Sequence, residues 1–182
     1  MLSSSIQIGT YTLANRVVFQ PMEGCDCRED GTPSALTVEK YRKAAKSGAS
    51  LIWFEANAVC PEGRTNPRQM MLTEDNLPAF RALLEDMRRI AAEECGIRPV
   101  MILQLTHSGR QSIVPMIAYR HPIYEERRPA GDEHIVSDEY LDTLPEKYAA
   151  SARLAVEAGF DGDQQSYILL DGVQIAEKTR LF

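Results

Sequence analysis

The feature that most restricts the fold is an order of elements that recurs along the chain. A helical pattern of apolar residues is followed by a glycine suited to end the helix, and then by a short apolar run without alternation. The helical patterns cover residues 37–47, 77–95 and 143–158, and apolar runs cover residues 51–54 and 100–103. A non-alternating run indicates a strand buried on both faces. Helices alternating with such strands predict an α/β fold with a parallel sheet and right-handed crossovers.

The segments before residue 37 and after residue 142 have weaker patterns of apolar residues. Residues 16–19 predict a first strand, and residues 6–8 and 11–13 predict a small β-hairpin before it. The third helix is expected to open at Thr143, where the residues have the spacing of a capping box. After that helix, residues 162–165 are too polar for a buried parallel strand.

About four βα units fit two architectures, an open doubly wound sheet or part of a (β/α)₈ barrel. A closed barrel usually takes about 250 residues and at least about 200. The chain has 182 residues, which is enough for a small open α/β domain and too few for a closed eight-stranded barrel. Residues 1–182 are therefore expected to form a single domain.

One connection in this domain is unusually long. Residues 106–142, between the second apolar run and the third helix, are rich in Pro, Arg, Glu and Asp. Structureless connections longer than about 15 residues are uncommon and often form lids or binding loops. In a parallel sheet this loop leaves the edge where ligands bind, although a solvated insertion without function is the alternative.

Composition excludes several classes of protein. The chain has 26 acidic and 20 basic side chains, a net charge of −6, which disfavours nucleic-acid binding. Apolar runs are strand-sized, so no membrane span is expected. The first ten residues lack the features of a secretory signal, and a cytoplasmic location is expected. The four cysteines have no spacing that completes a zinc site, so no metal is predicted.

Common catalytic signatures are absent from the sequence. There is no Gly-x-Gly-x-x-Gly, no phosphate-loop lysine, no Gly-x-Ser-x-Gly and no His-Glu-x-x-His. Dinucleotide-binding, nucleotide-binding, esterase and zinc-protease sites of the usual kinds are therefore not expected.

Polar and small residues follow each of the first strands, at the point where the strand ends. The first strand runs into Gln20, Pro21, Met22 and Glu23, the second into residues 55–58, and the third into residues 104–110. Because parallel strands end at one edge of a sheet, these segments indicate one shared site. The carboxamide of Gln104 offers donors and an acceptor to the pyrimidine edge of a flavin, and small Ala56 would permit close approach of a flat ring.

Other polar residues near these ends have competing interpretations. His107 and Arg110 could be a base and an anion clamp, or they could bond local carbonyls and carboxylates within a capped turn. Glu55 could be a buried acid or a partner of Arg16 or Arg64, and the sequence does not decide between them.

The strand-end residues resemble a known family, the old yellow enzymes, which are FMN-dependent ene reductases also called NADH:flavin oxidoreductases. The resemblance runs in order through L-A-N-R-V-V-F-Q-P-M at residues 13–22, F-E-A-N-A-V at 54–59, Q-L-T-H-S-G-R at 104–110 and A-V-E-A-G-F-D at 155–161. The third segment matches the family signature Q-L-x-H-x-G-R. Within the family the chain resembles the branch that contains the 2,4-dienoyl reductases.

The resemblance implies the N-terminal half of a TIM (β/α)₈ barrel with FMN at its C-terminal mouth. It implies that Gln20, Pro21, Met22, Glu23 and Ala56 lie against the flavin and that Gln104 holds the pyrimidine edge of the ring. The implied reaction is hydride transfer from NAD(P)H to FMN and then to the activated C=C of a small enone or dienoyl-type substrate. The redox chemistry belongs to the flavin, and the protein supplies orientation and electrostatics.

The chain departs from the family pattern in its fourth unit. The family carries a substrate-binding pair, His-x-x-His/Asn, followed by a proton-donating Tyr, whereas residues 161–167 contain no histidine and leave Tyr167 as the candidate donor. Residues 171–175 look more like the opening of the family's fourth strand, but Ala176 then stands where the first His is expected. Strands five to eight and their phosphate-binding residues are also expected to be missing. These departures predict a truncated protein of low or no activity alone.

The sequence is also compatible with two other interpretations. One is a non-catalytic truncated paralogue that acts as a subunit, forming a homo-oligomer or pairing with a complementary half-barrel through its open strand edges. The other is an independent flavodoxin-like domain, in which helices would cover both faces of the sheet.

Overall fold

A computed structural model describes residues 1–166 and 178–181 of the chain. The strands are β1 (Ile6–Ile8), β2 (Tyr11–Leu13), β3 (Val18–Phe19), β4 (Leu51–Ala58), β5 (Val100–Thr106), β6 (Gly162–Ser166) and β7 (Lys178–Leu181). The helices are α1 (Ala35–Lys46), α2 (Leu77–Cys95), α3 (Pro122–Arg127) and α4 (Asp138–Ala158). None of the helices within the described ranges is long and apolar enough to cross a membrane.

The main sheet has the strand order β3-β4-β5-β6-β7, and β1 and β2 form a separate antiparallel hairpin. Strands β3 to β6 are parallel, as predicted, and follow one another in chain order. Strand β7, which the sequence analysis does not predict, pairs antiparallel with β6 at the edge of the sheet. Each of these strands lies on the same side of the one before it. A doubly wound sheet differs, because its strand order reverses at one point.

The two faces of the sheet are covered differently. Helices α1, α2 and α4 pack on one face, around a core that contains Ile52, Phe54 and Leu103. On the other face, Leu51 and Ile102 pack with the β1–β2 hairpin. Among the described residues, the three long helices lie on a single face of the sheet. This is the arrangement of a barrel segment, in which the helices form the outside and the hairpin covers the inner face. The flavodoxin-like alternative is therefore wrong, and the prediction of a partial (β/α)₈ barrel is confirmed.

Local capping explains where the helices begin. The side chain of Ser34 accepts from the backbone N–H groups of Leu36 and Thr37 and forms a capping box with Thr37, so α1 starts before residue 37. Helix α4 begins near Ser137, whose hydroxyl accepts from the N–H of Tyr140. The expected start at Thr143 is wrong, and Pro145 lies inside the helix instead of in its first turn.

The expected absence of a strand at residues 162–165 is also wrong. Strand β6 pairs with β5 from Ile102–Gly162 to Thr106–Ser166. Its start is held by Asp161, whose carboxylate accepts from the Met101 N–H at 3.0 Å and from Arg98 at 2.9 Å. Tertiary contacts thus make a strand of residues whose polarity argues against one. The alternative at residues 171–175 lies outside the described residues.

The long connection is shorter and more ordered than residues 106–142 suggested. It lies between β5 and α4 and contains α3 and two 3₁₀ turns, Gly109–Gln111 and Asp132–His134. A bridge between Ile117 and Ile135 joins its two halves. The connection is a folded flap on the rim of the barrel segment.

Candidate functional site

Three side-chain positions form a row across the inner face of the sheet near its C-terminal edge. The register places Ala56 beside Gln104 and Gln104 beside Gln164. The row lies two residues beyond Ile102, on the same face of β5. Ala56 and Gln104, which the sequence predicted to converge, are therefore neighbours.

The carboxamide of Gln104 is oriented by the neighbouring strand. Its Nε2 donates to Oε1 of Gln164 at 3.1 Å, and Gln164 is only 8% exposed. A carboxamide has two N–H donors and an acceptor oxygen, so this bond uses one donor and leaves Oε1 and the second N–H for another partner. Gln164 joins this candidate site although the sequence analysis does not single it out, because the polarity of residues 162–165 argues against a strand there.

The segment that follows β3 runs beside the end of β4. Pro21 is half-buried, whereas Gln20, Met22 and Glu23 are exposed, Met22 to 74%. Glu23 accepts from the hydroxyl of Thr65 at 3.2 Å. The N–H of Gly24, the next residue, donates to Glu55 of β4 at 2.7 Å. The segment therefore lies against β4 and the turn after it, and the role of its residues in binding a flavin stays a prediction.

Glu55 is a buried acid, which decides one question that the sequence left open. Its carboxylate accepts from Lys40 Nζ at 2.6 Å and from the backbone N–H of Gly24 at 2.7 Å. Arg64 instead donates to the carbonyl oxygens of Glu29 and Gln69. Glu55 therefore pairs with α1 and with the segment after β3.

A hydrogen-bonded network surrounds His107 just beyond the end of β5. The N–H of Gly109 donates to its Nδ1 at 3.0 Å, so the proton of the neutral ring is on Nε2, which lies 2.8 Å from the hydroxyl of Tyr140. Tyr140 in turn donates to Glu62 at 3.1 Å, and Lys147 donates to the same oxygen at 2.8 Å. The network joins the end of β5 to α4 and to the turn after β4.

The pKa values in this network follow from burial and pairing. Burial lowers the pKa of His107 below its ordinary value. Burial also raises the pKa of Tyr140 well above its usual range and that of Cys60 to about 11. Burial alone would raise the pKa of Glu62, but hydrogen bonds, led by the one from Lys147, lower it to about 2. At neutral pH the network holds a neutral imidazole and a paired carboxylate.

Arg110 is engaged within the flap. Its Nη1 donates to the carbonyl oxygen of Arg128 at 2.6 Å, and its Nη2 lies 2.7 Å from Glu125. The residue is 4% exposed. The bonds of Arg110 to a local carbonyl and a local carboxylate agree with the capped-turn interpretation. His107 differs, because its partners are the N–H of Gly109 and the hydroxyl of Tyr140.

The remaining sequence-predicted residues do not add to this site. Tyr167, the candidate proton donor, lies outside the described residues. Within the described ranges, no group of three His, Cys, Asp or Glu side chains is arranged to hold a metal ion. Burial raises the pKa values of Cys25 and Cys27, to about 11 and about 12, so both are protonated thiols at neutral pH.

The sequence of this chain is similar to those of a known enzyme family. A sequence model of the NADH:flavin oxidoreductase / NADH oxidase family matches residues 2–164. Members of this family use FMN with NAD(P)H as the electron donor. The matched range contains every described residue of the row and of the segment after β3.

Curated proteins with similar sequences include NADPH dehydrogenases and an NADH oxidase. An NADPH dehydrogenase of Halalkalibacterium halodurans is 30% identical over 165 residues, which are 88% of this chain and 46% of that protein. An NADH oxidase of Thermoanaerobacter brockii is 26% identical over 88% of this chain and 25% of its own length. The chain thus spans less than half the length of these relatives.

Solved structures agree at the level of the fold. Old Yellow Enzyme from a Pichia species superimposes with a TM-score of 0.74 at 18% identity, over 90% of this chain and 45% of that one. An old yellow enzyme homologue from Zymomonas mobilis gives a TM-score of 0.71 at 22% identity, over 90% of this chain and 47% of that one. Both matches place the described fold within half of a larger barrel.

Proposed function

The chain belongs to the NADH:flavin oxidoreductase / NADH oxidase family, and from that premise we propose that its inner-face row binds the ring of FMN. The observation that carries the proposal is the paired carboxamide of Gln104, which Gln164 holds at 3.1 Å beside Ala56. A fixed amide with a remaining donor and acceptor complements the alternating N–H and C=O groups of a flavin's pyrimidine edge.

The residues present fit this cofactor. The small side chain of Ala56 leaves room above β4 for a flat ring, and the exposed residues Gln20, Met22 and Glu23 supply a second wall. Pro21 lacks a backbone N–H and restricts the chain at that wall. FMN would supply hydride acceptance and donation when bound. The chain's own residues orient the ring and exclude water from one side of it.

We propose a small enone or dienoyl-type molecule as the substrate and NAD(P)H as the donor, by analogy with the family. Tyr167 remains the proposed proton donor. Because the chain spans less than half the length of its relatives, we expect the 182-residue chain alone to bind FMN weakly and to turn over slowly, if at all. Full activity would need the remaining barrel, supplied by further sequence or by a partner.

The proposal is tested by titrating the purified chain with FMN and following flavin fluorescence and absorbance. Gln104→Leu removes the edge contact and should weaken FMN binding by about tenfold, the effect of losing one or two good hydrogen bonds. Gln7→Leu, an equivalent change on the exposed face of the hairpin, should bind like the wild type. Equal affinity of all three proteins would refute the assigned role of Gln104.

A chain that takes up no FMN at any accessible concentration would instead favour the non-catalytic alternative. In that case we expect the protein to act as a subunit, and size-exclusion chromatography should show a stable homo-oligomer or a complex. A colourless monomer would contradict both proposals.

A further inference from the structure

Glu55 lies in β4 at the position where the pairing register with β5 shifts. Phe54 pairs with Leu103 and Ala56 with Gln104, so Glu55 is the extra residue of a β-bulge. A bulge changes the direction in which a side chain points. The ring of Tyr41 stacks on Phe54 at 3.9 Å and its hydroxyl donates to Glu55, so both residues face α1. Ala56 consequently returns to the inner face.

The carboxylate of Glu55 is fully buried, and both of its oxygens accept hydrogen bonds. Lys40 and Tyr41 donate to Oε1 at 2.6 and 3.2 Å, and the N–H of Gly24 donates to Oε2 at 2.7 Å. The backbone N–H of Glu55 donates back to the Tyr41 oxygen at 2.9 Å. Burial of a carboxylate is costly unless it is paired and hydrogen-bonded, and these contacts meet that condition.

The bond from Gly24 ties an exposed segment to a buried acceptor, because Gly24 is exposed and Glu55 is fully buried. Glu23 accepts from Thr65 and from Cys25 at the surface, and the N–H of Met22 donates to the carbonyl oxygen of Gln20 within the segment. Hydrogen bonds to a charged acceptor are stronger than neutral ones, and exposed contacts contribute little. Asp26 and Cys27, further along, are bonded to Thr37 and Arg68. Among the described contacts of residues 20–24, the bond from Gly24 to Glu55 is the one to a buried carboxylate, and we expect it to contribute most to the position of residues 20–23.

We propose that Glu55 is a positioning residue, which acts through Gly24 to hold residues 20–23 as a wall of the flavin site. This inference rests on the proposed function. Packing of α1 against β4 does not itself require a carboxylate, because apolar residues of similar volume often replace a buried ion pair without loss of stability. Apolar packing cannot supply the acceptors that Glu55 offers to the Gly24 N–H and to the Tyr41 hydroxyl, and the first of these reaches the segment after β3.

Two double variants separate the acceptor from the ion pair. E55Q/K40M removes both charges and keeps an oxygen that can accept from Gly24, whereas E55M/K40M removes both charges and the acceptor. We expect E55Q/K40M to bind FMN within about threefold of the wild type and E55M/K40M to bind about tenfold more weakly. Their thermal midpoints should be similar. Glu39→Gln, which removes an exposed carboxylate paired with Lys43, is the control and should match the wild type.

Amide hydrogen exchange tests the bond from Gly24 to Glu55 without FMN. In the wild type and in E55Q/K40M the Gly24 amide should exchange more slowly than the Glu23 amide, and in E55M/K40M this protection should be lost. Equal Gly24 exchange in both double variants, or equal exchange of Gly24 and Glu23 in the wild type, would overturn the proposal. If the wild type takes up no FMN, the proposed function fails, and these exchange rates still decide whether Glu55 positions the segment.

Discussion

At the scale of single residues, one backbone contact determines the chemistry of His107. The Gly109 N–H occupies Nδ1, and the ring therefore donates through Nε2 toward Tyr140. Protonation of the ring would convert Nδ1 into a donor facing another donor. Burial opposes protonation as well. His107 is thus suited to hold the end of β5 against α4 only while it is neutral.

This arrangement predicts an acid-dependent loss of stability. The pKa of His107 is lowered in the folded state, so the unfolded chain binds more protons below about pH 6.5 and the free energy of unfolding falls as pH drops through that value. His107→Gln should show a smaller fall between pH 7.5 and 5.5 in urea denaturation. His134→Gln, at a partly exposed histidine of the flap, should retain the wild-type dependence. Identical pH profiles for all three proteins would contradict the assignment.

At the scale of elements, β6 is a polar strand that depends on contacts from outside itself. The carboxylate of Asp161 accepts from the Met101 N–H and from Arg88 and Arg98. It is 6% exposed, so its partners cannot be replaced easily by water. Together with the bond between Gln104 and Gln164, these contacts hold β6 in register with β5.

Removal of that anchor should destabilise the sheet at this edge. We expect Asp161→Ala to lower the free energy of unfolding by about 2 kcal/mol, because it leaves a buried N–H without an acceptor. Amides of β6 should also lose protection from hydrogen exchange. Asp86→Asn, which weakens ion pairs to the exposed Arg42 and Arg89, should cost less than about 1 kcal/mol. A larger effect of the Asp86 change would argue against the proposed role of Asp161.

At the scale of the whole molecule, aromatic packing joins helices and sheet on the outer face. Phe54 stacks on Tyr41 with centroids 3.9 Å apart and meets the edge of Phe160 at 4.9 Å. These residues connect α1, β4 and the segment that leads into β6. The stack therefore couples the first unit of the barrel segment to the last described one.

A cavity at the centre of this stack should affect the entire fold. Phe54→Ala is expected to cost about 3–5 kcal/mol, the usual range for a buried aromatic side chain, and to lower the thermal midpoint seen by circular dichroism. Val156→Ala, at a half-exposed position on α4, is the matched control and should change stability by less than about 1 kcal/mol. Similar midpoints for both variants would show that the stack is not central to stability.

Local patterns in the sequence predicted much of the fold. The β1–β2 hairpin, α2 and the starts of β4 and β5 lie where apolar periodicity, capping residues and glycines indicate them. The same patterns brought Ala56 and Gln104 to one edge, because the ends of parallel strands coincide. These features depend on residues close together in the chain, whose preferences the sequence states directly.

Tertiary structure alone decided the rest. Strand β6 exists because Asp161 and Gln164 find partners on β5 and α2, and these contacts outweigh the poor strand character of a polar run. The partners of Glu55 lie on α1 and in the segment after β3, distant in sequence and close only after folding. Propensity and periodicity act over a few residues, whereas burial and hydrogen-bond pairing depend on which distant residues meet. The sequence therefore determined the order of the elements, and packing between them determined which polar atoms form the candidate site.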